Sequence, residues 1–196
     1  MGIKDVAEFL FEGRLLKKIP RSGFQFLGDG KESVAEHCFL TTLIAYVISQ
    51  LEPDVNAEKL ISLCLVHDLA ESRVGDLNYV QKMYVTVDEN RAVSHMTRHL
   101  PFGNHLTSLI NEFNQRTSKE SQLAHDADQL ALIIELKNLS DLGKTHADKW
   151  LIHVTQRLTT DIGKYLADAI LNCEQDSWWL RDYHENRQDN SSRNKM

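Results

Sequence analysis

Apolar positions along this 196-residue chain recur at helical rather than strand spacing. Val6, Phe9, Leu10, Leu15 and Leu16 predict a first helix, which Pro20 ends because proline has no backbone N–H to continue the ladder. A loop broken by Gly23, Gly28 and Gly30 follows over 21–32. Ser33-Val34-Ala35-Glu36 has the spacing of a capping box, in which the serine hydroxyl and the glutamate carboxylate satisfy the free N–H groups of a helix start. It predicts a helix from 33 to about 51, broken by Glu52-Pro53-Asp54. Asn56 caps the next helix, which carries Leu60, Ile61, Leu63, Cys64, Leu65 and Val66 to Ala70 or beyond. That segment is apolar around nearly its whole circumference, the mark of a central buried helix.

Gly75 ends it, and a polar loop through Tyr79 and Tyr84 follows. Amphipathic stretches predict helices over 88–99, stopping at Pro101, and over 104–115. Ser118 opens a long helix through Leu123, Ala127, Leu130, Ala131, Ile134 and Leu139 to Asp141, and Gly143 breaks it. Two more are expected over 146–158 and 161–173. The reading is an all-α, single-domain helical bundle over 1–185, followed by a polar, frayed tail over 186–196.

Composition narrows the class. Nine Gly and three Pro are too few for a turn-rich sandwich or barrel, and 42% hydrophobic content excludes global disorder. A net charge of −6 excludes a strongly basic nucleic-acid coat, so no nucleic-acid polymer is expected as partner. Any phosphate site must come from a local basic cluster. Three cysteines do not make a disulfide scaffold, and Cys38 and Cys64, inside apolar runs, read as small buried thiols. The N-terminal residues lack the apolar core of a signal peptide, and the apolar run over 60–66 is far short of a membrane span. The expectation is a soluble cytoplasmic globule without membrane association.

Nine histidines are many for this length. Two His-Asp pairs occur, His67-Asp68 and His125-Asp126, so the pair alone decides nothing. His67-Asp68 ends the most apolar helix, where an unpaired carboxylate costs several kcal/mol and needs a cation, whether a metal ion or a buried Arg or Lys. Glu71 follows at i+4 and i+3, on the same side of the helix end, and Gly75-Asp76 turns another carboxylate back toward it. His37 shares an inward stripe with Thr41, Ile44, Ala45 and Ile48, while Glu36 is taken up by the capping box. The long helix offers Asp126 and Asp128, and the small or apolar neighbours Ala124, Ala131 and Leu132 mildly prefer Asp128. His125-Asp126 otherwise reads as helix surface.

Two histidines and two carboxylates suit Mn, Fe, Co, Ni or Zn, and Mg less well. Such an ion acidifies a bound water and neutralises charge on a phosphoryl oxygen, with Glu71 placed for proton transfer. Arg14, Lys17, Lys18 and Arg21 put four cations in eight residues of an acidic chain. Lys18 and Arg21, flanking Pro20, are the better anion candidates. His95 and His99 sit four apart in polar surroundings, and His105, His146, His153 and His184 have no partner pattern.

Glu36-His37, His67-Asp68-Leu69-Ala70-Glu71, Gly75-Asp76-Leu77 and Asp126-Ala127-Asp128-Gln129 together resemble the HD-domain metal-dependent phosphohydrolases. Ile19-Pro20-Arg21-Ser22-Gly23-Phe24 and Glu32-Ser33-Val34-Ala35-Glu36-His37 are similar to the branch of deoxynucleoside 5′-monophosphatases. Trp150-Leu151, Arg157-Leu158 and Trp178-Trp179 look like one subgroup of it. The resemblance implies an all-helical fold with one divalent metal on His37, His67, Asp68 and Asp128, selecting Asp128 over Asp126. It implies Glu71 as the catalytic carboxylate and Asp76 near the sugar. Lys18 stands where the branch places a phosphate-binding Arg, and Ile19 where the better-studied members carry a Trp. A homodimer is implied by the resemblance alone.

The expected activity is metal-dependent release of phosphate from a (deoxy)nucleoside 5′-monophosphate, with Lys18 and Arg21 on the phosphate. A phosphodiesterase or pyrophosphohydrolase acting on a signalling nucleotide, with a second ion at His95, is the alternative enzyme. A catalytically silent nucleotide-binding regulator is the alternative outside enzymes, and the intact Glu71 argues against it.

Overall fold

A computed structural model describes residues 2–183. Its helices are α1 (Ile3–Gly13), α2 (Phe24–Leu27), α3 (Val34–Leu51), α4 (Ala57–Val66), α5 (Glu71–Val74), α6 (Tyr79–Tyr84), α7 (Glu89–Thr97), α8 (Gly103–Gln115), α9 (Lys119–Asp141), α10 (Thr145–Thr155) and α11 (Asp161–Leu171). A 3₁₀ turn (Arg14–Lys18) continues α1, and residues 177–183 are again helical. Among the described residues the strand-like pairing is one isolated antiparallel bridge, Pro20 to Ser33. Its backbone bonds, Arg21 N–H to Glu32 O (2.8 Å) and Val34 N–H to Ile19 O (2.9 Å), close the intervening loop at the entrance to α3. The tail expected over 186–196 lies outside the described residues.

The helix at the centre is α9 rather than α4. Leu123, Ala124, Ala127, Leu130, Ala131, Ile133 and Leu136 are buried along it, and α3, α4, α8, α10 and α11 pack around it. Helix α4 buries Leu60, Leu63 and Cys64 but leaves Leu65 57% exposed, so an apolar circumference does not make it the hub. Ser33 and Glu36 cap α3 reciprocally, and Asn56 accepts from Lys59 N–H at the start of α4.

Three elements differ from the sequence reading. Helix α4 stops at Val66 instead of reaching Ala70, because the His67 ring engages the Cys64 carbonyl through Nδ1 (2.8 Å). The chain then tightens, with Leu69 N–H on Val66 O and Glu71 N–H on Asp68 O, before α5 begins. The loop over 21–32 contains the short α2. The polar loop after Gly75 contains α6, started by a reciprocal Asn78–Gln81 cap that the hydrophobic pattern does not reveal.

By length and composition α3 is long and apolar enough to cross a membrane. Its inward stripe, His37, Cys38, Thr41, Ile44, Ala45 and Ile48, is buried within the bundle, the geometry of a core helix. Its other face exposes Phe39, Leu43, Tyr46 and Leu51.

Candidate metal centre

His37 stands in the first turn of α3, His67 at the end of α4, Asp68 in the tight turn behind it, and Asp128 midway along α9. Packing of the three helices brings their side chains to one point. His37 Nε2 lies 2.9 Å from Asp128 Oδ1 and 3.8 Å from Asp68 Oδ2. His67 Nε2 lies 3.2 Å from the same Asp68 oxygen. One donor atom each from His37, His67 and Asp128 falls within 4.8 Å of the others.

Burial resists the charge on both carboxylates, yet the histidines and Arg21 more than offset it. Asp68 is held down to about 2, and Asp128 well below the usual carboxylate range. Burial likewise opposes a proton on His67, and Asp68 and Asp128 overcome it, pushing the imidazole up to about 9. The pocket is built to stabilise positive charge. Among the described residues His37 Nδ1 is buried without a hydrogen-bond partner and His67 Nε2 makes no hydrogen bond beyond its ionic approach to Asp68, and the mixed N/O donor set suits a divalent ion. The residues present therefore fit a divalent metal. Cys38 Sγ also falls within 4.8 Å of donors of His67 and Asp68. Burial and then the nearby carboxylates push its thiol far above the ordinary range, leaving it a neutral wall group.

Glu71 opens α5, three residues after Asp68. Its Oε2 is buried and unpartnered among the described residues, and burial, followed by the charges of Asp68 and Asp76, pushes the carboxyl up to about 9. That environment favours the protonated form of Glu71, beside the candidate ligands. Helix α5 is tied to α1 by Ser72 Oγ and Arg73 Nη2, which donate to the Glu12 carboxylate at 3.2 and 2.8 Å.

Arg21 is brought to the cluster and Lys18 is not. Arg21 Nη1 lies 3.3 Å from Asp68 Oδ2 and 3.7 Å from Asp76 Oδ2, and its Nε lies 3.9 Å from Glu32. Asp76 Oδ2 also accepts from Ser22 N–H (2.9 Å), so this carboxylate anchors the loop that carries Arg21. Lys18 is exposed and lines a separate cavity with Arg21, Glu32 and Glu36, away from the four ligands. Sequence reasoning missed Glu32, an acidic partner for Arg21 whose only signal is its place beside the Ser33 cap. It also missed Gln129, whose Nε2 donates to Asp128 Oδ2 at 2.8 Å.

Asp126 is not helix surface. It is 1% exposed and accepts from the backbone N–H groups of Thr159 and Thr160 and from both hydroxyls, at 2.6 to 3.3 Å. A side chain on Gly163 would collide with this carboxylate, so glycine permits the close approach of α11. The two aspartates divide the work, Asp126 seating α11 and Asp128 facing the histidines. His125 is half-buried and stacks on Phe113, ring centroids 4.0 Å apart. His95, His99, His105, His146 and His153 are exposed, and none belongs to a metal-type cluster among the described residues. His184 lies outside them.

Two of the candidate ligands, His67 and Asp68, border a cavity of about 290 Å3 that Glu71, Phe113 and Asn114 also wall.

The chain is similar to several known proteins. The zebrafish (Danio rerio) 5′-deoxynucleotidase HDDC2 is 32% identical over 65% of this chain and 66% of its own length, just under two thirds. The human protein of that name is 29% identical over 72% of this chain and 71% of its own. A conserved hypothetical protein from Pyrococcus furiosus superposes with a TM-score of 0.71 at 26% identity, covering 84% of this chain and 96% of that one. A Magnetospirillum magnetotacticum protein described as a predicted metal-dependent phosphohydrolase shares the fold, with a TM-score of 0.66 at 20% identity over 87% of this chain and 91% of that one. The sequence model of the HD domain matches residues 14–170, four-fifths of the chain, a span within which the four candidate ligands lie: the protein belongs to the HD domain family.

Proposed function

We propose that the protein is a metal-dependent phosphohydrolase that releases phosphate from nucleoside 5′-monophosphates, in the manner named for its 5′-deoxynucleotidase relatives. The observation that carries this reading is the convergence of His37, His67, Asp68 and Asp128, beside Glu71 and a cavity of about 290 Å3. That volume lies at the small end of the range for ligand pockets, about 300–1,000 Å3, and suits a mononucleotide better than a dinucleotide.

His37, His67, Asp68 and Asp128 would hold one divalent ion of the Mn, Fe, Co, Ni or Zn group, with Mg suited less well. Bound there, the ion supplies Lewis acidity toward a phosphoryl oxygen and lowers the pKa of water. Glu71 holds a proton beside the reacting centre and delivers it to the leaving 5′-oxygen. Arg21, which fixes Asp68 and Asp76, is the nearer of the two phosphate candidates, Lys18 stands in the neighbouring cavity, and Asp76 borders the sugar. The apolar outer face of α3 supports a homodimer, and three free thiols support a cytoplasmic location.

The test is phosphate release from a panel of ribo- and deoxyribonucleoside 5′-monophosphates with Mn or Co, repeated with Asp68→Ala. Release by the parent and its loss in the variant are expected. Full activity in Asp68→Ala overturns the site, and an oligomer of other than two chains in sedimentation overturns the dimer.

A further inference from the structure

The cavity of about 290 Å3 is lined by three acidic side chains, Asp68, Glu71 and Glu89. Beyond the proposed divalent ion, a phosphate monoester entering it in a chain of net charge −6 gains from nearby positive charge that is not already committed. Arg21 shares its charge among Asp68, Asp76 and Glu32. Lys82 is the one Lys or Arg in the cavity wall, and no ion pair occupies it among the described residues. It also lines the adjoining cavity of about 230 Å3 with Arg21, Ser22, Asp76 and Asn78, so it stands where the two spaces meet.

Its position is built. Asn78 and Gln81 cap α6 reciprocally, Lys82 N–H bonds to Asn78 O (3.0 Å), and Asn78 Nδ2 donates to Gln25 Oε1 (3.4 Å). At i+4 from the anchored Asn78, Lys82 stands on the same side of the helix. Its long stem suits a point charge that must reach into a cleft. The wall contributed by the segment after α6 and by α7 and α8 is apolar at Val85 and Val87 and polar at Glu89 and Asn114. Asn114 Nδ2 donates to Glu89 Oε1 (3.3 Å), leaving the second carboxylate oxygen to accept from a ligand hydroxyl or amino group.

We propose that Lys82 pairs with the substrate phosphate while the Glu89–Asn114 pair hydrogen-bonds the nucleoside. This rests on the nucleotidase reading and adds a phosphate contact and a nucleoside subsite to it.

Steady-state kinetics on the metal-loaded protein separate the two roles, using a deoxynucleoside 5′-monophosphate and p-nitrophenyl phosphate, which has a phosphate but no nucleoside. Lys82→Ala is expected to raise KM for both about ten- to a hundredfold, the loss of one charge-assisted hydrogen bond, and Lys82→Arg to recover most of it. Glu89→Gln is expected to lower kcat/KM for the nucleotide about tenfold and leave the aryl ester unchanged. Bound metal should be equal in all variants, and calorimetric affinity of the Glu71→Gln protein for the nucleotide should weaken with Lys82→Ala by the same factor as KM. An unchanged KM in Lys82→Ala, or a Glu89→Gln effect equal on both esters, overturns the proposal. A parent protein that cleaves the aryl ester but no nucleotide overturns the nucleotidase reading and the nucleoside subsite, with Lys82 still judged on the aryl ester. A parent protein that cleaves neither ester overturns both.

Discussion

His37 Nε2 and Asp128 Oδ1 approach to 2.9 Å, joining the first turn of α3 to the middle of α9 through the centre of the bundle. Asp128→Asn keeps the shape and removes the charge. The variant should fold and lose its divalent ion on dialysis, while the parent retains about one equivalent, read by elemental analysis.

Asp126→Ala should behave in the opposite way. It leaves two backbone N–H groups and two hydroxyls at the start of α11 without their acceptor. A loss of about 1–3 kcal/mol follows, or roughly 2–4 °C of Tm for each kcal/mol in a chain of this size, with metal content retained. Gly163→Ala should lower Tm through the same contact, and the two effects should be non-additive in a thermal double-mutant cycle.

Arg21→Ala removes the cation between Asp68, Asp76 and Glu32. Groups behind a ligand typically govern about 10- to 100-fold in metal affinity, so a competitive chelator titration should show a loss in that range. Lys18→Ala should leave metal affinity unchanged, because Lys18 stands in another cavity.

Glu32 provides a pH signature. Burial pushes its carboxyl up to about 7 from 4.5 despite Arg21, so between those values the folded protein binds more protons than the unfolded chain. Stability from this group is therefore fully present below about pH 4.5 and falls as pH rises to about 7. Glu32→Gln should flatten that part of the denaturation profile relative to the parent.

A bound ion ties α3, α4 and α9 together, so metal and fold should be thermodynamically linked. Saturation at a hundred times Kd adds about 2.7 kcal/mol. Chelation should lower Tm by several degrees in the parent and have no effect in His37→Ala.

Much of this was legible in the residues, for identifiable reasons. The Ser33–Glu36 cap set the start of α3, and with it the inward direction of His37. His67, Asp68 and Glu71 line one cavity although α4 ends at Val66, because the tight turn that follows keeps them together. Spacing alone separated Asp126 from Asp128 only weakly. The difference lies in Thr159 and Thr160, more than thirty residues away, and no local pattern carries a contact of that range. The carboxylate partners of Arg21 stand 47 and 55 positions along the chain, beyond any local pattern, and α6 is hidden because its evidence is a polar cap rather than an apolar stripe.

The bridge between Pro20 and Ser33 and the bond from Ser22 to Asp76 show that the cleft is assembled from two kinds of material. The four candidate ligands are carried on or beside three core helices, whereas Lys18, Arg21, Ser22, Asp76 and Lys82 stand on a tight turn, loops or a six-residue helix at the surface. Changes in the surface segments can redirect which phosphate ester is accepted without disturbing the hydrolytic centre. Substrate range in this architecture is therefore free to diversify quickly, while the chemistry behind it stays fixed by the packing of the core.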